Sequence, residues 1–363
     1  MAILAVNAGS SSLKLTVVGD DDRIERAREL DAPGAEVDPE QLDQALAEGL
    51  ADVDAVAHRI VHGGDRFTDA VLIDDGVLHA LGELTELAPL HQPKSLAALH
   101  AVSTRLPGTP AIACFDTAFH HSLPAAARTY PLPQRWRRRW GLRRFGFHGL
   151  SHGWVARRIA ELCAGTAPSR IVSCHLGAGA SLCAIADGRS VDTTMGFTPL
   201  EGLMMATRSG SVDPGMLLWL LEHEQLAPAE LADALEHRSG LAGVAGTGDM
   251  RQVLDRAASG DADSQLALDV YLHRLAGQIA SMTAALGGVE VLVFTGGVGE
   301  HAPEIRQRSA DRLAFLGVEL DQTRNAEVDG DAEIGAAYAP VRTWVLRARE
   351  DLEMARLARP LLV

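Results

Sequence analysis

Lysine is nearly absent from this 363-residue chain. Its two lysines, Lys14 and Lys94, both lie outside any GxxxxGK[ST] pattern, which excludes a P-loop nucleotide site. Arginine supplies almost all of the positive charge, and the net charge of −15 argues against general binding to nucleic acids or to membrane surfaces. We therefore expect neither kind of partner. An anionic substrate would need a local basic site that overcomes the unfavourable overall field.

Cysteine is also scarce, and several familiar motifs are missing. Cys114, Cys163, Cys174 and Cys183 show no CxxC spacing and lie mostly in apolar runs, which predicts buried free thiols in a reducing compartment. The HExxH zinc pattern and the protein-kinase motifs are absent. No basic segment precedes the first apolar run, and no uncharged apolar run approaches the length of a membrane span. These absences predict a cytoplasmic protein.

The most informative stretch is the beginning, residues 3–18, which reads ILAVNAGSSSLKLTVV. Two β-rich apolar runs flank a turn of Asn, Gly and Ser, which predicts a β-hairpin. Small hydroxyls, a glycine and the nearby Lys14 suit a bound phosphate, although an ordinary polar turn is the alternative. Residues 171–185 repeat the order of strand, Gly/Ser turn and strand. Two such hairpins predict a duplicated fold that holds a nucleotide between its halves.

Polar residues also stand where predicted strands end. Arg59 follows a buried run and precedes Gly-Gly, and Asp116 follows the predicted strand 110–115. Arg208 is the only cation in the loop 192–215, which is too long to be a mere connection. A glycine-rich turn at 295–301 follows another predicted strand, as in many nucleotide sites.

Two patterns have a competing interpretation. His58 and His62 have the spacing of a metal pair, but the strand-like context and the following glycines favour structural histidines. The run 135–140, RWRRRW, could be a nucleic-acid patch, but in so acidic a chain we interpret it as a solvated helix face.

Together with the run FGFHGLSH at 145–152, these motifs resemble the acetokinase family of the acetate and sugar kinase, heat-shock protein and actin superfamily. The resemblance covers nearly the whole chain, with Gln92 and Lys94 departing from the family's Asn-Pro-Pro run. It implies an α/β fold of two duplicated actin-like ATPase (ribonuclease H-like) domains with the active site in the interdomain cleft. One domain would comprise 1–120 plus 351–363, and the other, 121–350, would carry most of the nucleotide site.

The resemblance implies reversible phosphoryl transfer from ATP to acetate by direct in-line displacement, with Mg²⁺ or Mn²⁺, in a cytoplasmic homodimer. A propionate or butyrate kinase of the same family is the nearest alternative. A non-catalytic, ATP-switched binding protein of the actin or chaperone type is a more distant one, because such proteins lack the paired arginines and the His-Gly-x-Ser-His run.

The resemblance also implies a role for individual residues. The catalytic residues would be Asp116, Arg59, Arg208 and His148. The acetate-binding residues would be Arg59, Val61, Leu90, Phe147 and Pro199. The ATP-binding residues would be Lys14, Ser10, Ser12, His175, Gly177, Gly179, Asp249, Met250, Arg251, Gly296, Gly297 and Gly299. The metal would be held by Asn7 and Glu350.

Overall fold

A computed structural model describes residues 1–9, 12–32, 38–87, 92–163 and 168–362. The chain forms two compact units, each with its own six-stranded sheet. The first unit comprises Met1–His121, Phe147–Trp154 and Arg349–Val363, and the second comprises Ser122–Gly146 and Val155–Ala348. The segment 147–154, which the resemblance assigned to the second domain, thus lies in the first unit.

The first sheet begins with the predicted hairpin. Its strands are β1 (Ile3–Ala8), β2 (Ser12–Val18), β3 (Ile24–Asp31), β4 (Ala55–Ile60), β5 (Val71–Leu72) and β6 (Ala111–Phe115). The order across the sheet is β3-β2-β1-β4-β6-β5. β1, β2 and β3 pair as an antiparallel meander, whereas β1, β4 and β6 run parallel.

The second sheet repeats this arrangement. Its strands are β7 (Arg170–Leu176), β8 (Ala180–Ala186), β9 (Arg189–Thr193), β10 (Val291–Thr295), β11 (Ala332–Glu333) and β12 (Arg342–Val345). The order is β11-β12-β10-β7-β8-β9, with β7, β8 and β9 as the meander and β7, β10 and β12 parallel. Each sheet therefore has a three-stranded meander followed by two parallel strands, which confirms the predicted duplication.

The described residues form fifteen α-helices. They are α1 (Pro39–Ala45), α2 (Asp75–Glu83), α3 (Gln92–Arg105), α4 (Ala125–Arg128), α5 (Gln134–Trp140), α6 (Gly149–Leu162), α7 (Pro214–His223), α8 (Pro228–His237), α9 (Gly240–Ala245), α10 (Met250–Ala258), α11 (Ala262–Ala285), α12 (Gly296–His301), α13 (Pro303–Arg312), α14 (Gln322–Glu327) and α15 (Glu350–Ala358). Within these described residues, no helix is long and apolar enough to span a membrane.

The segment between the long loop and α9 forms two helices, because α7 ends at His223 and α8 begins at Pro228. Proline has no amide hydrogen and suits the first turn of a helix, so a new helix starts there. The glycine-rich turn after β10 forms the short helix α12.

The first sheet is covered on both faces. On one face, Leu150 and Trp154 of α6 and Leu352 and Met354 of α15 share a core with Ile3 and its neighbours. On the other face, residues of α1 and α3 pack against Leu4, Val6, Leu13 and Leu15. Alternate residues of β1 thus face opposite cores, as the two-residue period of a strand requires.

His58 of β4 is a buried polar residue with an unusual environment. Both of its ring nitrogens lack a hydrogen-bond partner in the described part of the chain. Burial disfavours the charged imidazolium and lowers the pKa of His58 to about 3. The folded protein therefore keeps this imidazole neutral where an unfolded chain, with a histidine pKa of about 6.5, binds a proton.

We predict that His58→Leu raises the free energy of unfolding by about 1–2 kcal/mol at pH 7, because two unpaired polar atoms leave the core. Below about pH 6.5 the unfolded wild-type chain binds one proton more than the folded one. The advantage of the variant should then grow by up to about 1.4 kcal/mol per pH unit. Urea unfolding between pH 5 and 8 measures this, with exposed His100→Gln as the control; a pH-independent difference would contradict it.

Candidate active site

Three strands of the first sheet bring predicted site residues to one edge. β1, β4 and β6 are parallel neighbours, so their carboxyl ends meet there. Asn7 lies near the end of β1, Arg59 near the end of β4, and Asp116 directly after β6. Glu350, the first residue of α15, joins them.

The four side chains form a continuous network. The Nε atom of Arg59 lies 3.1 Å from both carboxylate oxygens of Asp116, and its Nη2 atom donates to Oδ2 over 2.6 Å. The Nη1 atom donates to Asn7 Oδ1 over 3.0 Å. Asn7 Nδ2 in turn donates to Glu350 Oε2 over 2.7 Å, and that oxygen lies 3.6 Å from Arg59 Nη1. The guanidinium is therefore held on both sides.

The charged groups of this network change the pKa values of one another. Burial alone would lower the pKa of Arg59, but the Asp116 and Glu350 carboxylates outweigh it and raise that pKa. Burial raises the pKa of Asp116, which is 1% exposed, and the Arg59 guanidinium opposes the rise. Two carboxylates, those of Asp116 and Glu350, thus lie beside the Arg59 guanidinium.

His148 is placed by the main chain next to it. The amide of Gly149 donates to the carbonyl oxygen of Asp116 over 2.8 Å, and a Cβ atom at residue 149 would lie only 2.2 Å from that oxygen. Glycine is therefore required there. His148 itself has a positive φ of 56° and precedes α6. The segment that carries His148 is thus fixed to the end of β6.

Two of the predicted acetate-binding residues lie close to each other in the first unit. Phe147 packs edge-on against the ring of His62, with centroids 5.5 Å apart, and Val61 precedes His62 in the chain. Gln92 holds this loop, since its side chain accepts from the His62 amide over 3.1 Å and donates to the His62 carbonyl over 3.2 Å. Leu90 lies outside the described residues.

The hairpin residues predicted to bind phosphate have other contacts. The hydroxyl of Ser12 donates to Glu29 over 2.7 Å, and the ammonium of Lys14 lies 3.8 Å from the same carboxylate. Ser10 lies outside the described residues. Phosphate binding by Ser10, Ser12 and Lys14 therefore stays a prediction.

The glycine-rich segments of the second unit are in mutual contact. Gly177 and Gly179 form the turn between β7 and β8, and the Ala178 carbonyl accepts from the Ala206 amide over 3.1 Å. A Cβ atom at Gly248 would lie 3.2 Å from the Ala206 carbonyl oxygen. Gly296 has a φ of +78°, and a Cβ atom there would lie 2.8 Å from the carbonyl oxygen of Leu176. These backbone approaches place the turns side by side.

The remaining predicted nucleotide residues border these turns. His175 of β7 pairs with Thr295 of β10, the strand that leads into Gly296, Gly297 and Gly299 of α12. Asp249 caps α10 by accepting from the Arg251 amide over 2.9 Å, and it also pairs with the Arg251 guanidinium. Met250 is buried, whereas the Arg251 side chain is 87% exposed.

Arg208 has the opposite environment from Arg59. Its Nη1 atom donates to the carbonyl oxygen of Pro199 over 2.7 Å, and it forms no ion pair with any described residue. Burial lowers the pKa of Arg208, and the charge of Glu236 opposes that shift. A partly buried guanidinium that lacks a carboxylate in direct contact is suited to receive an anion.

Sequence reasoning missed two charged residues that hold α12. Glu300 Oε1 accepts from the amides of Gly296 and Ala348, each over 2.9 Å. Arg306, which is 1% exposed, donates to the carbonyls of Gly299 and Glu300 and to both oxygens of Asn325. Burial lowers the pKa of Arg306 to about 10. No sequence signal distinguishes this arginine from Arg308 and Arg312 of the same helix, which are more exposed.

The donor set for a metal ion consists of oxygens. Within the described ranges, no group of three or more His, Cys, Asp and Glu side chains is arranged to hold a metal. Mg²⁺ commonly takes one or two carboxylates and completes its shell with substrate phosphates and water. The carboxylate of Glu350 is the type of ligand that such a site uses. The amide of Asn7 is engaged by Arg59 and Glu350.

Residues 34–356 of this chain match the sequence model of the Acetokinase family. This chain belongs to the Acetokinase family. It is similar to an acetate kinase of Nostoc punctiforme, with 45% identity over 86% of this chain and 78% of the relative. The acetokinase fold is also seen in solved structures. The acetate kinase of Porphyromonas gingivalis aligns with a TM-score of 0.89 and 32% identity over the whole of both chains.

A second similar solved structure is that of a kinase for a different acid. The propionate kinase of Francisella tularensis aligns with a TM-score of 0.90 and 32% identity, over 98% of both chains. These matches confirm the family and the actin-like fold that the sequence predicted.

We predict that Arg306→Gln lowers the free energy of unfolding by about 3 kcal/mol, because several buried carbonyl oxygens lose a charged donor. Arg308→Gln on the same helix is the matched control. Arg308 is partly exposed and pairs with Glu304 and Asp269, so its loss should cost less than about 1 kcal/mol. Urea unfolding of both variants measures the difference, and equal costs would contradict the role given to Arg306.

Proposed function

We propose that this protein is an acetate kinase, which transfers the γ-phosphoryl group of ATP to acetate and, in reverse, forms ATP from acetyl phosphate and ADP. The observation that carries the proposal is the partly buried Arg208 guanidinium, whose charge has no ion-pair partner among the described residues. Such a cation matches the charge that gathers on a phosphoryl group during transfer. Family membership and the similarity to acetate kinases support the same reaction.

The reaction needs positioning rather than a proton-abstracting base. Acetate is ionised at neutral pH, so one of its oxygens can attack the γ-phosphorus directly and form the new P–O bond while the bond to ADP breaks. In the proposal, Arg59 orients the acetate carboxylate, and Asp116 keeps the Arg59 fork in place. Arg208 neutralises negative charge on the phosphoryl oxygens during transfer.

The histidines complete the proposed site. His148 and His175 donate hydrogen bonds to the phosphoryl oxygens. The backbone amides at Gly177, Gly179, Gly296, Gly297 and Gly299 line the nucleotide phosphates, because glycine allows the closest approach of main chain to ligand. Asp249, Met250 and Arg251 border the adenosine, while Lys14, Ser10 and Ser12 contact phosphate.

A divalent cation is part of the proposal. Mg²⁺, or Mn²⁺ in its place, would be held by Glu350, with Asn7 supporting that carboxylate, and when bound it would neutralise part of the phosphate charge. The carboxylate of Glu350 supports this part of the proposal, because Mg²⁺ prefers oxygen ligands.

We also propose a homodimer that acts in the cytoplasm. Helix α7 exposes the large apolar side chains of Met216, Leu218 and Trp219, and such a surface is typical of a protein interface. Sedimentation equilibrium tests this state. The four cysteines are buried free thiols, as expected in a reducing compartment.

A propionate kinase is the second candidate, because of the structural similarity to the propionate kinase of Francisella tularensis. In the proposal, Val61, Leu90, Phe147 and Pro199 form an apolar pocket that fits a methyl group. Each extra CH₂ would gain about 0.8 kcal/mol in a pocket with room for it, but overpacking costs about 1–3 kcal/mol. We therefore expect kcat/KM to fall from acetate to propionate to butyrate in a hydroxamate assay with ATP and Mg²⁺.

Arg208→Ala should lower kcat at least about 100-fold, because one donor to transition-state charge is commonly worth about 3 kcal/mol. ATP binding should change much less. Arg208→Lys should restore little of the lost kcat, since an ammonium group cannot replace the paired N–H donors of the planar guanidinium. Exposed Arg238→Ala, which loses a surface pair with Asp233, is the control and should keep normal turnover. Near-normal turnover of folded Arg208→Ala would refute the assignment.

Val61→Ala should raise kcat/KM for propionate relative to acetate about fourfold, because the vacated space accepts one more CH₂. Val71→Ala, a valine truncation on the edge strand β5, should leave the ratio unchanged. Both ratios come from the same hydroxamate assay. If the unmodified enzyme preferred butyrate, the pocket assignment would be wrong.

A further inference from the structure

The positive charge of this acidic chain is concentrated in one segment. Residues 117–160 contain nine arginines and no Asp or Glu. Seven of these arginines lie in 128–144, which we call the arginine segment. The reaction proposed above assigns no role to its central helix, α5.

The arginine segment lies within the second unit. The amide of Arg144 donates to the carbonyl of Arg128 over 2.8 Å. This hydrogen bond joins the two ends of the segment, which we call its base. At its centre, the α5 arginines 135, 138 and 139 are exposed and form no ion pair with any described residue. The rings of Trp136 and Trp140 lie 6.1 Å apart, and the Arg139 guanidinium stacks 5.3 Å from the Trp140 ring. The positive charge is thus held in place but not neutralised.

The base is attached to the loop that contacts Arg208. Arg144 donates to the carbonyls of Thr194 and Met195 and pairs with Glu201. The next residue, Phe145, donates to the carbonyl of Gly196, and the Pro199 carbonyl of the same loop accepts from Arg208.

Chain length limits how far the α5 arginines can lie from this base. A seven-residue helix is about 10 Å long, and the connecting arms span at most about 20 Å when fully extended. Every α5 arginine is therefore within roughly 30 Å of the base, which is the Debye length at about 0.01 M ionic strength.

We propose that α5 attracts the polyanionic substrates of the reaction, MgATP and acetyl phosphate, to the protein by long-range electrostatic steering. Its arginines raise the local concentration of phosphate-bearing anions that the chain as a whole repels. This inference rests on the proposed function. Because the interaction scales with ligand charge, it favours a dianion over the monoanion acetate, and added salt abolishes it.

The test compares two triple variants with the same change in net charge. The first is Arg135→Gln, Arg138→Gln, Arg139→Gln. The control is Arg23→Gln, Arg238→Gln, Arg324→Gln, which removes three exposed arginines elsewhere. We measure kcat/KM for MgATP and for acetate between about 0.01 and 0.5 M ionic strength.

At low salt, the α5 variant should lose roughly three- to tenfold in kcat/KM for MgATP and less than about twofold for acetate, with kcat unchanged. The difference from wild type should vanish at 0.5 M, and the matching triple Arg→Lys variant should retain wild-type values. Equal losses in the control, a loss that persists at high salt, or failure of the Lys variant would overturn the proposal. If the wild-type protein showed no acetate-dependent consumption of ATP, the proposed function itself would be refuted.

Discussion

One guanidinium joins the ends of three parallel strands and the start of a helix. Arg59 bonds to Asp116 and Asn7 and lies beside Glu350, so β1, β4, β6 and α15 meet at its side chain. Asp116 is almost fully buried, and a buried carboxylate without its partner costs several kcal/mol. The arrangement of this sheet edge therefore depends on the ion pair. In return, the fold holds the guanidinium in one orientation before any ligand arrives, which lowers the entropy lost on binding.

Arg208 shows what the same side chain does without such a partner. Its one described hydrogen bond goes to the neutral carbonyl oxygen of Pro199, and burial lowers its pKa. Arg59 is stabilised by the protein, whereas Arg208 would be stabilised by a ligand. The proposal gives the two arginines different roles for this reason: orientation of the acceptor for Arg59 and neutralisation of the transferred charge for Arg208.

Local signals predicted much of this molecule. The two β-rich runs of residues 3–18 predicted the first hairpin, and their strand-end positions singled out Arg59 and Asp116, which the structure pairs. Features that depend on distant parts of the chain were not predictable. Arg306 looks like any helical arginine, yet Asn325 and two carbonyls enclose it. Gly149 is required by the Asp116 carbonyl, which lies 33 residues away in the sequence and only becomes its neighbour in the fold.

The position of α15 has a consequence for synthesis of the protein. Leu352, Met354, Ala355 and Ala358 of this last long helix share the core of the first unit with Ile3 and Ala5. The second unit, which ends at Ala348, has all of its residues before that helix has been translated. Domains commonly fold from the N terminus as the chain emerges from the ribosome. Here the unit that contains residues 1–121 is completed after the second unit, and one face of its nascent sheet lacks the α15 part of its cover until that helix has been translated.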